Sequence, residues 1–160
     1  MRSKVALMAV LLAVACSQRS TPPPAPAPSA PAGPRVTFPD GFVVQVEVAA
    51  DDPTRQQGLM YRDQLAENRG MIFLFGEDGV YPFWMKNTII PLDMIWIDTA
   101  HKVVSVQHDV PPCKADPCPS YPPTGPARYV LETAAGVAKK HRLESGAVLR
   151  FDGLDNILVR

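Results

Sequence analysis

Tyr81–Asp98 reads YPFWMKNTIIPLDMIWID, and this stretch decides the fold. It holds both tryptophans, Trp84 and Trp96, among Phe83, Met85, Ile89, Ile90, Leu92, Met94, Ile95 and Ile97. Its charged or amide side chains are Lys86, Asn87, Asp93 and Asp98. Successive side chains of a strand point to opposite faces. Leu92, Met94 and Trp96 therefore share one face, with Asp93, Ile95 and Ile97 on the other. Pro91 has no amide hydrogen for a ladder and marks a break. The stretch reads as strand, kink, strand, with Lys86-Asn87-Thr88 near the kink.

The flanking sequence repeats short apolar runs. Met71 to Phe75, MIFLF, is bounded by Gly70 and Gly76 and fits a strand covered on both faces. Val36 and Phe38, then Phe42, Val44, Val46 and Val48, predict two strands joined through Pro39-Asp40-Gly41. Asp52-Pro53 predicts a helix start, with Asp52 as cap, and Gly58 stops the helix. Downstream, Asp98-Thr99-Ala100-His101 forms a turn and Val103 to His108 a strand. Tyr129 to Thr133 is a strand, and Ala134 to His141 a short helix. Val148 to Phe151 and Ile157 to Val159 are the last two strands. Short, closely spaced strands with one or two short helices predict a mainly β domain, a single sandwich or barrel.

Length allows one ordinary domain, but 18 prolines are too many for it, and they cluster. Arg2 and Lys4 precede the apolar run Val5–Ala15, which is too short to span a bilayer and fits a signal peptide. Leu12-Ala13-Val14-Ala15-Cys16 is similar to the cleavage box of bacterial lipoproteins, with Ala13 where leucine is usual. On that reading residues 1–15 are removed, and Cys16 carries lipid and anchors the chain to a membrane. Cleavage as an ordinary secreted protein, with Cys16 incidental, is the alternative. Ser17 after the cysteine favours the outer membrane, facing the periplasm. Residues 16–34 form a Pro/Ala-rich linker of extended polyproline character, and 35–160 the folded domain. Zero formal net charge points away from nucleic acid.

Five motifs now stand in order. They are Gly58-Leu59-Met60-Tyr61-Arg62, Gly70-Met71-Ile72-Phe73, Phe83-Trp84-Met85-Lys86-Asn87-Thr88, Ile90-Pro91-Leu92-Asp93 and Tyr129-Val130-Leu131-Glu132. Together they resemble the domain of unknown function 192 (DUF192) family, from about Phe38 to Val159. The resemblance implies a single mainly β, jelly-roll-like sandwich, often exported. It brings no activity with it.

Lys86 sits among large apolar residues. Desolvation would make it a nucleophile or base. Alternatively it pairs with Asp93, lies over Trp84, or binds an anionic ligand. Asn87 and Thr88 either fasten the turn or bind beside it. Arg62 and Glu132 are placed to reach the same polar cluster. Cys113 and Cys118, in an exported protein, predict a disulfide. A metal site with His108 is the alternative, but structural zinc takes four ligands and no fourth appears. His101 and His141 read as solvated. The chain contains no Gly-x-Ser-x-Gly elbow and no phosphate-binding glycine loop.

The function read from these residues is a non-enzymatic envelope lipoprotein. Trp84, Lys86, Asn87, Thr88, Asp93, Arg62 and Glu132 would bind a small ligand, glycan or protein segment, without cofactor or metal. Two alternatives stand. One is a hydrolase or transferase using Lys86 and Asp93, and the other is a structural accessory module of the envelope.

Overall fold

The computed structural model describes residues 33–160. The expected signal peptide, the expected lipid site at Cys16 and all of the expected linker except Gly33 and Pro34 lie outside the described residues.

The elements run β1 (Arg35–Thr37), β2 (Val43–Ala49), α1 (Asp52–Gln57), β3 (Arg69–Gly79), β4 (Phe83–Trp84), β5 (Leu92–Ile97), β6 (Val103–Val110), β7 (Ser120–Tyr121), β8 (Ala127–Ala134), α2 (Val137–Lys140) and β9 (Arg150–Asp152). Seven strands form one sheet in the order β6-β5-β8-β3-β2-β1-β9, and β4 pairs with β7 as a separate ribbon. The sheet curls into a half-barrel, so the mainly β single domain with two short helices is as expected. β2 and β3 pair in parallel, and α1 lies in the crossover between them. The β1–β2 hairpin turns through Asp40 and Gly41, with φ of 90° at Gly41.

The alternation in β5 is as the sequence predicts. Leu92, Met94 and Trp96 join one hydrophobic cluster, with Met71, Phe73 and Val130. Ile95 and Ile97 join the other, with Ile72, Leu74 and Leu131. All six β5 residues are buried because both faces are covered. Val137, Ala138 and Leu143 pack on the second cluster, while Leu59 and Met85 belong to the first. Each large apolar side chain buried this way stabilises by about 1.5–3 kcal/mol. Trp96 also satisfies its indole, whose Nε1 donates to the Tyr81 carbonyl at 2.8 Å.

Several details differ from the sequence reading; α2, for one, spans only Val137–Lys140, and Ala134 ends β8. The strands either side of Pro91 belong to different sheets, because the chain reverses at Met85–Thr88 with Asn87 at φ 57°. The cap of α1 is Asp51, not Asp52. Thr54 lies three residues after Asp51, and the two close a reciprocal capping box. The strand expected at Val148–Phe151 is shifted to Arg150–Asp152, and Val148 is exposed. Ile157–Val159 is no strand; instead the Arg160 amide donates to Ala50 O at 2.8 Å.

Candidate functional site

A hollow of about 270 Å³ opens between α1, β3, β4 and β8. Its wall is aromatic: Phe73 and Phe75 from β3, and Tyr81, Phe83 and Trp84 from the segment entering and forming β4. Phe75 and Tyr81 stack with centroids 3.7 Å apart, and Phe73 meets Phe83 edge-on at 4.9 Å. The Tyr81 hydroxyl donates to Glu77 O at 2.8 Å, which fixes the ring. Gly58 ends α1 at φ 48°, and a Cβ there would stand 3.3 Å from Phe73 Cζ. Glycine thus provides both the turn and the close approach.

Arg55 lies along the same wall, 5.5 Å from the Phe75 centroid. It donates to Leu74 O at 2.8 Å, Asp52 Oδ1 at 2.6 Å and Arg160 O at 2.6 Å. Its charge is therefore spoken for. Lys86 is exposed at the mouth, with Nζ 5.4 Å from the Trp84 ring. Trp84 itself is 52 % exposed, and Thr88 is buried beside them.

Among the described residues, Glu132 is the one carboxyl in the hollow that is buried, at 4 % exposure. In the sheet it stands between Met71 of β3 and Met94 of β5. Among the described residues its carboxyl has no hydrogen-bond or ion-pair partner. Burial alone pushes its pKa up to about 8, so it is mostly protonated at neutral pH.

The structure therefore gathers Trp84, Lys86, Thr88 and Glu132 on the wall of the hollow, and Asn87, Asp93 and Arg62 are not part of that wall. Asp93 is fully buried on the opposite face of β5. Its Oδ1 accepts the amides of Asp109 at 2.8 Å and Gly136 at 3.2 Å, and its Oδ2 that of Ala138 at 2.8 Å. Gly136, at φ 85°, offers α2 no side-chain cap, and Asp93 supplies the acceptor from a neighbouring strand. The expected Lys86–Asp93 pair does not form, because three backbone amides already hold that carboxylate. Arg62 makes a two-point pair with Glu47 at 2.5 and 2.7 Å, and its hydrogen bonds hold the Glu47 carboxyl below its ordinary range. Asn87 lies in the turn, its carbonyl accepting the Tyr61 amide and its Nδ2 3.8 Å from Met60 Sδ. Asp98 turns the chain through Oδ1, which accepts the amides of Ala100 and Lys102.

Cys113 and Cys118 are joined as a disulfide, with Cα atoms 5.7 Å apart. Their sulfurs bond each other, which removes both as ligands for a metal with His108. Cys113 packs against the same cluster as Phe83 and Tyr121, so the bridge braces the loop that carries β7.

Phe73, Phe75, Tyr81, Phe83, Arg55 and Gly58 are site residues that sequence reasoning did not single out. Tyr81 and Phe83 stood in the central stretch and were legible as aromatic surface. Gly58 read only as a helix stop and Arg55 carried no signal, and the parallel β2–α1–β3 crossover brings both to the hollow.

No curated protein matches this chain. Two crystal structures are similar to it. One is of a provisionally named transcription regulator from Sinorhizobium meliloti, 38 % identical, covering 76 % of this chain and 93 % of its own, with a TM-score of 0.64. The other is of a protein of unknown function from Novosphingobium aromaticivorans, 31 % identical, covering 73 % of this chain and 82 % of its own, with a TM-score of 0.66. The family profile described as Uncharacterized ACR matches residues 36–151, nearly all of the described fold. The chain belongs to that family, DUF192.

Proposed function

We propose that this protein is a non-enzymatic binding lipoprotein of the bacterial envelope, which takes a small organic molecule into the hollow floored by Glu132. One observation carries the binding reading. A carboxyl without a partner, buried against apolar and aromatic neighbours, is costly to the fold. Such a group is the expected mark of a site whose missing partner is a ligand. Tethering through Cys16 rests on Arg2, Lys4, the Val5–Ala15 run and the small residues before the cysteine. A disulfide suits the oxidising compartment that export reaches. Hydrolase or transferase chemistry through Lys86 and Asp93 loses its support, since the two lie on different faces and Asp93 serves α2. A role in transcription regulation, as provisionally named for the Sinorhizobium protein, finds no support in zero formal net charge.

The test of binding is a small-fragment screen read by backbone amide NMR. Shifts clustered on Phe73, Phe83, Trp84, Lys86 and Glu132 are expected, and fragments that bind only elsewhere would refute the assignment. The test of tethering is incorporation of labelled palmitate in cells. Label in the native chain and none in Cys16→Ser is expected; equal label in both would refute the anchor.

A further inference from the structure

Among the described residues the hollow has four charged side chains on its wall: Asp52, Arg55, Lys86 and Glu132. Asp52 and Arg55 answer each other at 2.6 Å. Lys86 and Glu132 remain, one exposed at the mouth and the other buried on the floor. Neither has an ion-pair partner among the described residues. They do not answer each other either. A lysine close to Glu132 would pull its pKa down, and burial is the only cause acting on it. A gap lined with aromatic rings separates one unpaired cation from one unpaired carboxyl.

Resting on the binding reading above, we propose that the ligand is an amphoteric small molecule, an amino-acid-like zwitterion. Its ammonium meets Glu132, its apolar body lies against Phe73, Phe83 and Trp84, and its acidic group meets Lys86 at the mouth. The polarity of this arrangement follows from burial. An ammonium carried inward loses its water and needs a carboxylate to replace it. Glu132 is there, and a charge-assisted N–H···O bond is about twice as strong as a neutral one. Aromatic faces favour the same sign of charge. Two of the rings on this wall already carry a cation, Arg55 over Phe75 and Lys86 over Trp84. In the reverse orientation Glu132 would meet the ligand's carboxylate only as the neutral acid, and the ligand's ammonium would stand against the Lys86 ammonium at the mouth. A plain acid would leave Glu132 unpartnered, and a plain amine would leave Lys86 so. A hollow of about 270 Å³ suits a molecule at the small end of the range that protein pockets take.

Binding in this manner is coupled to a proton. Glu132 enters as the acid and is ionised in the complex, so about one proton leaves to solvent at neutral pH.

The experiment uses the full chain and four probes with one phenyl body: phenylalanine, phenethylamine, phenylpropionate and phenethyl alcohol. Titration calorimetry in two buffers of different ionisation enthalpy gives affinity and protons released. Amide NMR on the same samples shows where each probe sits. Phenylalanine should bind at least about tenfold more tightly than any other probe, and phenylpropionate most weakly. Phenylalanine should release close to one proton. Glu132→Gln, a neutral isostere, should abolish the proton release and cost phenylalanine at least about tenfold, without weakening phenylpropionate. Lys86→Met, at an exposed position, should reduce phenylalanine to the affinity of phenethylamine. Pocket binding led by phenethyl alcohol or phenylpropionate would overturn the amphoteric ligand while leaving a binding site in place. Silence from all four probes would overturn it together with the reading it rests on.

Discussion

Asp93 Oδ2 accepts the backbone amide of Ala138 at 2.8 Å, so a buried carboxylate at the start of β5 closes the first turn of α2. With the amides of Asp109 and Gly136 on Oδ1, the carboxylate meets three N–H donors and no cation among the described residues. Asp93→Asn places an amide NH₂ where one of those donors must be accepted. A loss of about 1–3 kcal/mol is expected in urea unfolding. Affinity of the hollow for any ligand should not change, because Asp93 lies on the other face. Loss of binding with unchanged stability would return Asp93 to the site.

Glu132 gives the fold a pH dependence of definite sign. Its folded pKa, about 8, lies above the ordinary 4.5, so between these values the folded state holds a proton that the unfolded state has lost. Stability therefore falls as pH rises from 4.5 to 8 and is flat above, by on the order of 3 kcal/mol between pH 4.5 and 7. Glu132→Gln should remove this slope and be more stable than the native chain at pH 8. Parallel denaturation curves for the two proteins across that window would contradict the burial of an uncompensated carboxyl.

The sheet was largely legible from residue pattern, and the site only in part. Alternation in Leu92–Ile97 placed six side chains on their correct faces, because a covered strand allows one register. The same alternation put Asp93 on the face with Ile95 and Ile97. That placement alone separates it from Trp84 and Lys86, since their hollow opens on the Met94 side. The partner of Asp93 could not be read from sequence, because backbone amides carry no residue signature. Glu132 was noticed through a motif, but its isolation depends on Met71 and Met94 closing in from two neighbouring strands. Pairings of that kind, joining residues tens of positions apart, are fixed only when the sheet order is known.

Arg62 and Glu47 form a two-point ion pair at the surface. Both are partly solvated, and such pairs contribute about 0–1 kcal/mol. Arg62→Ala should therefore lower stability by no more than about 1 kcal/mol and leave ligand affinity intact. An affinity loss above about tenfold in calorimetry would show that Arg62 reaches the ligand after all.

Cys113–Cys118 closes a short loop, so its removal should cost at most about 3 kcal/mol. Intact mass of the native protein, with and without reductant before alkylation, should reveal one internal bridge. Two free thiols without reductant would contradict it. In Cys113→Ser/Cys118→Ser, amide shifts should concentrate on Ser120, Tyr121, Phe83 and Trp84, where the braced loop meets β4.

The most direct measurement is a carbon-13 NMR titration of the Glu132 side-chain carboxyl, assigned by its absence in Glu132→Gln. A buried carboxyl without a partner predicts a midpoint near pH 8 in the free protein, moving down when phenylalanine is bound. A midpoint near 4.5 in the free protein would show a carboxylate already hydrated or paired, and would contradict the site.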